Sequence, residues 1–162
     1  MKIADVHAHV FPEKLAVKAA GSIGQFYGAE MYCEASMERL VAEEEKAGVS
    51  RYVISSSAVV PKQVRSIVEF LAEARKGHPE CISFGSIYPG MDGYEEVLDE
   101  LQALGSRGLK IHPDFQKLPI DDPSGIETYR SIARRGLPVL MHMGDNRYDF
   151  SSPERLTNLI RQ

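Results

Sequence analysis

Residues 5–12 read D-V-H-A-H-V-F-P, which places two imidazoles two positions apart beside a carboxylate. On a β-strand, side chains two apart share a face, so His7 and His9 would point the same way with Asp5 one pleat deeper. Their Cα atoms would lie roughly 6.5 Å apart at about 3.3 Å of rise per residue. Two imidazoles at that spacing can converge on one metal ion at about 2.1 Å per bond to zinc. The competing reading is a pair of ordinary histidines on a polar edge. Four of the five histidines stand near the ends of apolar runs: His7 and His9, His112 in G-L-K-I-H, and His142 in P-V-L-M-H. His78, in K-G-H-P, reads as solvated.

Such a cluster forms only if those runs lie side by side as strands. The pattern predicts strands over 2–10, 51–55, 81–88, 108–112 and 138–142. Helices are predicted over 37–47, 62–76, 92 to about 104, 123 to about 135, and from 153 onward. Gly48, Gly77, Gly105 and Gly136 act as helix stops. Asp92 opens D-G-Y-E, a capping-box pattern, and Asp122-Pro123 reads as a cap with proline at the first helical position. Alternating strands and helices imply an α/β fold with a parallel sheet and helices outside it. The candidates are an open doubly wound sheet or part of a (β/α)8 barrel. The lack of G-x-G-x-x-G after the first strand weakens dinucleotide binding. Residues 13–36 break the rhythm with Gly21, Gly24, Gly28, Phe26, Tyr27 and Tyr32. That connection is either a lid or a short helix over the mouth of the sheet.

Composition sets further bounds. The chain has 162 residues and a formal net charge of -4, enough for one domain with its own core. Mild, well-mixed acidity argues against nucleic acid as a partner. No apolar run approaches the roughly 18–20 residues of a membrane span. The opening M-K-I-A-D-V-H lacks a signal-peptide pattern. Two cysteines, Cys33 and Cys81, at no metal-type spacing fit a reducing cytoplasm.

D-V-H-A-H-V-F-P, G-L-K-I-H-P-D-F-Q and G-L-P-V-L-M-H-M-G together resemble the amidohydrolase superfamily, in its amidohydrolase-2 (aminocarboxymuconate-semialdehyde decarboxylase-like) branch. TatD-like nucleases resemble the first motif, but usually carry Glu where this chain has Lys110. PHP-type phosphoesterases usually follow the paired histidines with Ser-Asp-Gly, where this chain has Val10-Phe11-Pro12. The resemblance implies a partial (β/α)8 TIM barrel of about five βα units, with one divalent metal held by His7, His9 and His142. Zinc is the first expectation, with Mn, Co or Fe as alternatives. Such a metal would generate hydroxide to attack a small carbonyl or carboxylate substrate, or assist C–C cleavage in decarboxylase members. Asp5 would orient an imidazole from the second layer.

Lys110 and His112 share a strand face and are the expected catalytic pair, able to bind a substrate carboxylate. The alternatives are a structural ion pair for Lys110 and a strand end for His112. Carbamylation of Lys110, known in binuclear relatives, does not suit a motif of the mononuclear type. Tyr88 and Arg147 are expected to touch substrate, although Arg147 could equally face water. Ser55, Ser56 and Ser57 end the second strand and either donate hydrogen bonds to a ligand or form a turn, the turn being the first reading. The family pattern continues with a His on a sixth strand and an Asp on an eighth. The chain is therefore expected to be the N-terminal part of such a barrel, incomplete in activity, forming a homo-oligomer or needing its missing C-terminal segment. The reading from another class is a non-catalytic metal- or ligand-binding α/β module.

Overall fold

A computed structural model describes residues 2–162. Five strands, β1 (Ile3–His9), β2 (Val49–Ser55), β3 (Cys81–Ser86), β4 (Gly108–Ile111) and β5 (Val139–Met141), form one sheet in the order β1-β2-β3-β4-β5. Every neighbouring pair is parallel. The helices are α1 (Glu13–Tyr27), α2 (Met37–Ala47), α3 (Val64–Ala74), α4 (Tyr94–Ala103), α5 (Pro113–Gln116), α6 (Ile126–Arg134) and α7 (Pro153–Ile160). This is a half-barrel of β/α units, as the sequence pattern predicts. Among the described residues no helix is long and apolar enough to cross a membrane.

The outward side chains of the strands form the core. Ile87, Leu109 and Ile111 pack against Val64 and Val68 of α3, Val97, Leu98 and Leu101 of α4, and Ile132 of α6. Val10, Tyr52 and Ile54 meet Leu71, Met37, Leu40 and Val41 in a second cluster. Each fully buried aliphatic side chain contributes about 1.5–3 kcal/mol. The inward positions alternate with these, and at the C-terminal ends they are polar: Ser55, Ser86 and Lys110, all fully buried. The core therefore lies outside the sheet and the chemistry inside it.

Three elements depart from the pattern. The 13–36 connection is a full 15-residue helix followed by a loop. Its buried face is Ala16, Ala20 and Gly24, spaced by four, while Leu15 and Val17 are exposed. Small residues carry that face, so apolar periodicity could not announce it. A Cβ at Gly24 would come within 2.6 Å of the carbonyl oxygen of Ala29, so glycine is required there. The capping box at Asp92 does not form: α4 starts after Gly93, whose left-handed φ of 69° makes the turn, with no side-chain cap. A bulge between Asp5 and Ala8 shifts the register of β1 on β2, breaking strict alternation just below the paired histidines.

Candidate active site

The C-terminal ends of β1, β4 and β5 gather four histidines above Lys110. On β1, Nε2 of His7 lies 3.1 Å from Nε2 of His9. The bulge is held by Asp5, whose carboxylate accepts the backbone N–H of His7 at 2.8 Å. Asp5 thus positions His7 through the main chain rather than through its imidazole. Nδ1 of His9 is 3.5 Å from the Ser55 hydroxyl, which donates to the carbonyl of Ala8 at 3.3 Å. Ser55 is then left to accept from Nδ1–H of His9, which leaves the Nε2 lone pair of that ring facing Nε2 of His7.

On β4, Lys110 is fully buried and its Nζ has no hydrogen-bond partner among the described residues. Burial pulls its ammonium pKa down to about 8. Among the described residues no carboxylate pairs with it, unlike the structural ion pair weighed from the sequence. His112 follows and caps α5, its Nδ1 accepting the backbone N–H of Phe115 at 3.3 Å. Its ring is stacked between Phe115, at 3.7 Å between centroids, and His142 of the β5 end, at 3.8 Å. Burial first, then the positive field of Lys110, pushes the imidazoles of His7 and His9 down, His9 to about 4. His112 is lowered to about 2 by burial, then by His142 and Lys110. His142 is lowered by burial, then Lys110. All four rings are neutral at pH 7, the state in which imidazole ligates metals.

A carboxylate joins them from α5. Asp114 is 1% exposed; its Oδ2 accepts the Ser151 hydroxyl at 2.6 Å and lies 3.8 Å from Nε2 of His142, while Oδ1 has no partner. His112, Asp114 and His142 bring one ligand atom each within 4.8 Å of one another. Of the three residues expected to share a metal, His7 therefore pairs with His9, while His142 groups with His112 and Asp114. His142 is near enough to both His7 and His9 to help lower their pKa values. Asp114 was not singled out from the sequence, although H-P-D after a strand-end histidine is the signal for it.

Tyr27 was also missed as a site residue. From the last turn of α1 its hydroxyl reaches Nε2 of His112 at 2.9 Å and Nε2 of His142 at 3.4 Å. Arg147 holds that end of α1 in place. Its guanidinium grips Asp145 at 2.9 and 2.6 Å, donates to the carbonyl of Phe26, and stacks over the Phe26 ring at 4.4 Å. Arg147 is thus an exposed side chain whose guanidinium is engaged by Asp145 and the end of α1. The Tyr88 hydroxyl donates to the carbonyl of Gln116 at 3.3 Å and the ring packs on the outer core, so Tyr88 secures α5. His78, read as solvated, is half-buried, with Nδ1 3.1 Å from a carboxylate oxygen of Glu80.

The fold and motifs have counterparts among known proteins. The amidohydrolase-2 family model, described as Amidohydrolase, matches residues 4–162, and the chain belongs to that family. A 5-carboxyvanillate decarboxylase from Novosphingobium aromaticivorans, described with bound manganese, superposes with a TM-score of 0.69 at 15% identity, covering 89% of this chain and 51% of its own. The 5-carboxyvanillate decarboxylase of Sphingomonas paucimobilis gives 0.66 at 17%, covering 91% and 54%. A probable 2-pyrone-4,6-dicarboxylic acid hydrolase from Acinetobacter baumannii, described with citric acid bound, gives 0.58 at 16%, covering 88% and 49%. This chain spans about half the length of each. No curated protein matches it.

Proposed function

We propose, with membership of the amidohydrolase family as the premise, that this chain supplies the metal-binding half of an enzyme acting on a small carboxylate substrate. The observation that carries the reading is the convergence of four neutral imidazoles and a buried, unpartnered Lys110 at one end of a parallel sheet. The donor set fits a divalent cation. Two nitrogens each about 2.1 Å from one tetrahedral zinc stand about 3.4 Å apart, close to the 3.1 Å between His7 and His9. His142 is the third candidate ligand, and Asp114 adds an oxygen that would favour Mn or Fe as much as Zn. When bound, the cation supplies Lewis acidity, polarising a carbonyl or carboxylate oxygen and acidifying water.

The chain's own residues do the rest. Lys110 places a positive charge beneath the cluster, where water does not screen it, and favours a carboxylate above it. Ser55 orients His9, and Asp5 fixes the backbone at His7. Hydrolysis of a C–N or C–O bond is the first reading of the reaction. Decarboxylation is the second, favoured by the aromatic wall of Phe26, Tyr27, Phe115 and Tyr148 beside the cluster, which suits a flat aromatic acid. Two free cysteines, Cys33 and Cys81, accord with a reducing cytoplasm.

Equilibrium dialysis against zinc and manganese tests the metal. Adding 5-carboxyvanillate or 2-pyrone-4,6-dicarboxylate to the loaded, full-length enzyme tests the reaction. Release of carbon dioxide selects decarboxylation, and ring opening selects hydrolysis. A protein that takes up neither metal would overturn the reading.

A further inference from the structure

The hydrogen bonds around His112 decide what that ring can do. Nδ1 accepts the amide of Phe115 at 3.3 Å, and an amide can only donate. A neutral His112 therefore carries its proton on Nε2. That atom points at the Tyr27 hydroxyl 2.9 Å away, so the phenolic oxygen accepts and its own proton is turned toward Nε2 of His142 at 3.4 Å. The ring cannot rotate to exchange its nitrogens without breaking the α5 cap and its stacking between Phe115 and His142.

We propose that His112 is a fixed Nε2–H donor for an oxygen of the substrate rather than a metal ligand, and that the Tyr27 hydroxyl occupies the substrate oxygen's place until a ligand displaces it. The proposal deepens the reading of a carboxylate-processing site by assigning its oxygen-binding donor. A metal ligand needs the Nε2 lone pair, which protonation removes. An oxygen acceptor needs the N–H, which the cap provides. The charge of Lys110, two residues earlier on the same strand face, draws an anionic oxygen to the same spot. The hydroxyl to be displaced stands at the end of its element: Tyr27 closes its helix before Gly28, in the left-handed conformation with φ 65°, while the neighbouring Phe26 is anchored by Arg147, Phe115 and Tyr148. The ligand implied is a small carbonyl or carboxylate compound, bound by one oxygen between His112 and Lys110.

Imidazole nitrogen NMR of the whole chain tests the first half. His112 is expected as the Nε2–H form both before and after zinc is added, while zinc shifts the nitrogens of His7, His9 and His142. Loss of the Nε2 proton of His112 on adding zinc would overturn the donor role. Benzoate titration tests the second half. Tyr27→Phe removes the competing hydroxyl and is expected to bind benzoate about 3- to 10-fold more tightly, the value of one neutral hydrogen bond. Equal or weaker binding by the folded variant would overturn the placeholder role. If zinc shifts no histidine, the metal reading fails alone, since the His112 tautomer and the benzoate comparison are read without it.

Discussion

Nε2 of His7 and Nε2 of His9 face each other at 3.1 Å across one pleat of β1. Two neutral imidazoles share a single hydrogen bond there, and one divalent ion can replace that proton with two bonds. The double variant His7→Ala/His9→Ala is expected to lose roughly 10–100-fold or more in zinc or manganese affinity, beyond the loss typical of outer-shell partners. Elemental analysis after dialysis measures it. Equal metal content in wild type and variant would remove β1 from the site.

Lys110 is retained at a cost to stability. Its Nζ is buried without a partner, and burial lowers its pKa to about 8. Lys110→Met keeps the stem volume and removes the desolvated charge. It is expected to leave stability unchanged or raise it by about 1–3 kcal/mol of relieved desolvation, while weakening carboxylate binding. Calorimetry beside a benzoate titration separates the two effects. A variant that melts well below wild type would mean that the ammonium stabilises the fold.

The clasp between Asp145 and Arg147 is expected to fail in acid. The Arg147 guanidinium, through paired hydrogen bonds, holds the Asp145 carboxyl down to about 2, below its ordinary 3.8. A depressed folded-state pKa means that the stabilisation is present above about pH 4 and is lost as pH falls through about 2. Asp145→Asn should therefore loosen the Tyr27 end of α1 at neutral pH and show a shallower acid transition than wild type. Amide exchange at residues 26–28 between pH 2 and 6 reads this. Matching acid profiles would show that the pair holds nothing.

The sheet edges are expected to drive association. Val6 is 64% exposed and Ile3 38% on β1; among the described residues β1 pairs only with β2, and β5 at the other edge only with β4. Unpaired strands with apolar side chains are templates for further pairing. Light scattering of the isolated chain should show mass rising with concentration. A concentration-independent monomer would contradict it.

Much of this was legible in local pattern. The H-x-H spacing, the histidines closing apolar runs, and the glycines ending helices at Gly48, Gly77 and Gly136 each depend on a few neighbouring residues, because strand alternation and left-handed helix stops are short-range constraints. Where local signals were weak, the reading slipped. The D-G-Y-E at Asp92 matched a capping box, but a left-handed Gly93 preempted it. The face of α1 is made of alanine and glycine, which carry little hydrophobic contrast.

By itself the sequence determined the half-barrel and the set of imidazoles, since β/α alternation forces parallel strands whose C-terminal ends coincide. Only the tertiary structure decided the partners. It seated Asp114 beside His142, gave Tyr27 to His112 across 85 residues of chain, and set Arg147 on Asp145 and Phe26. These pairings join residues that packing brings together at the sheet mouth, and no periodicity along the chain encodes which side chains meet there. The tautomer of His112 is the sharpest case, because one backbone amide three residues ahead, held by the turn of α5, determines which nitrogen keeps the proton.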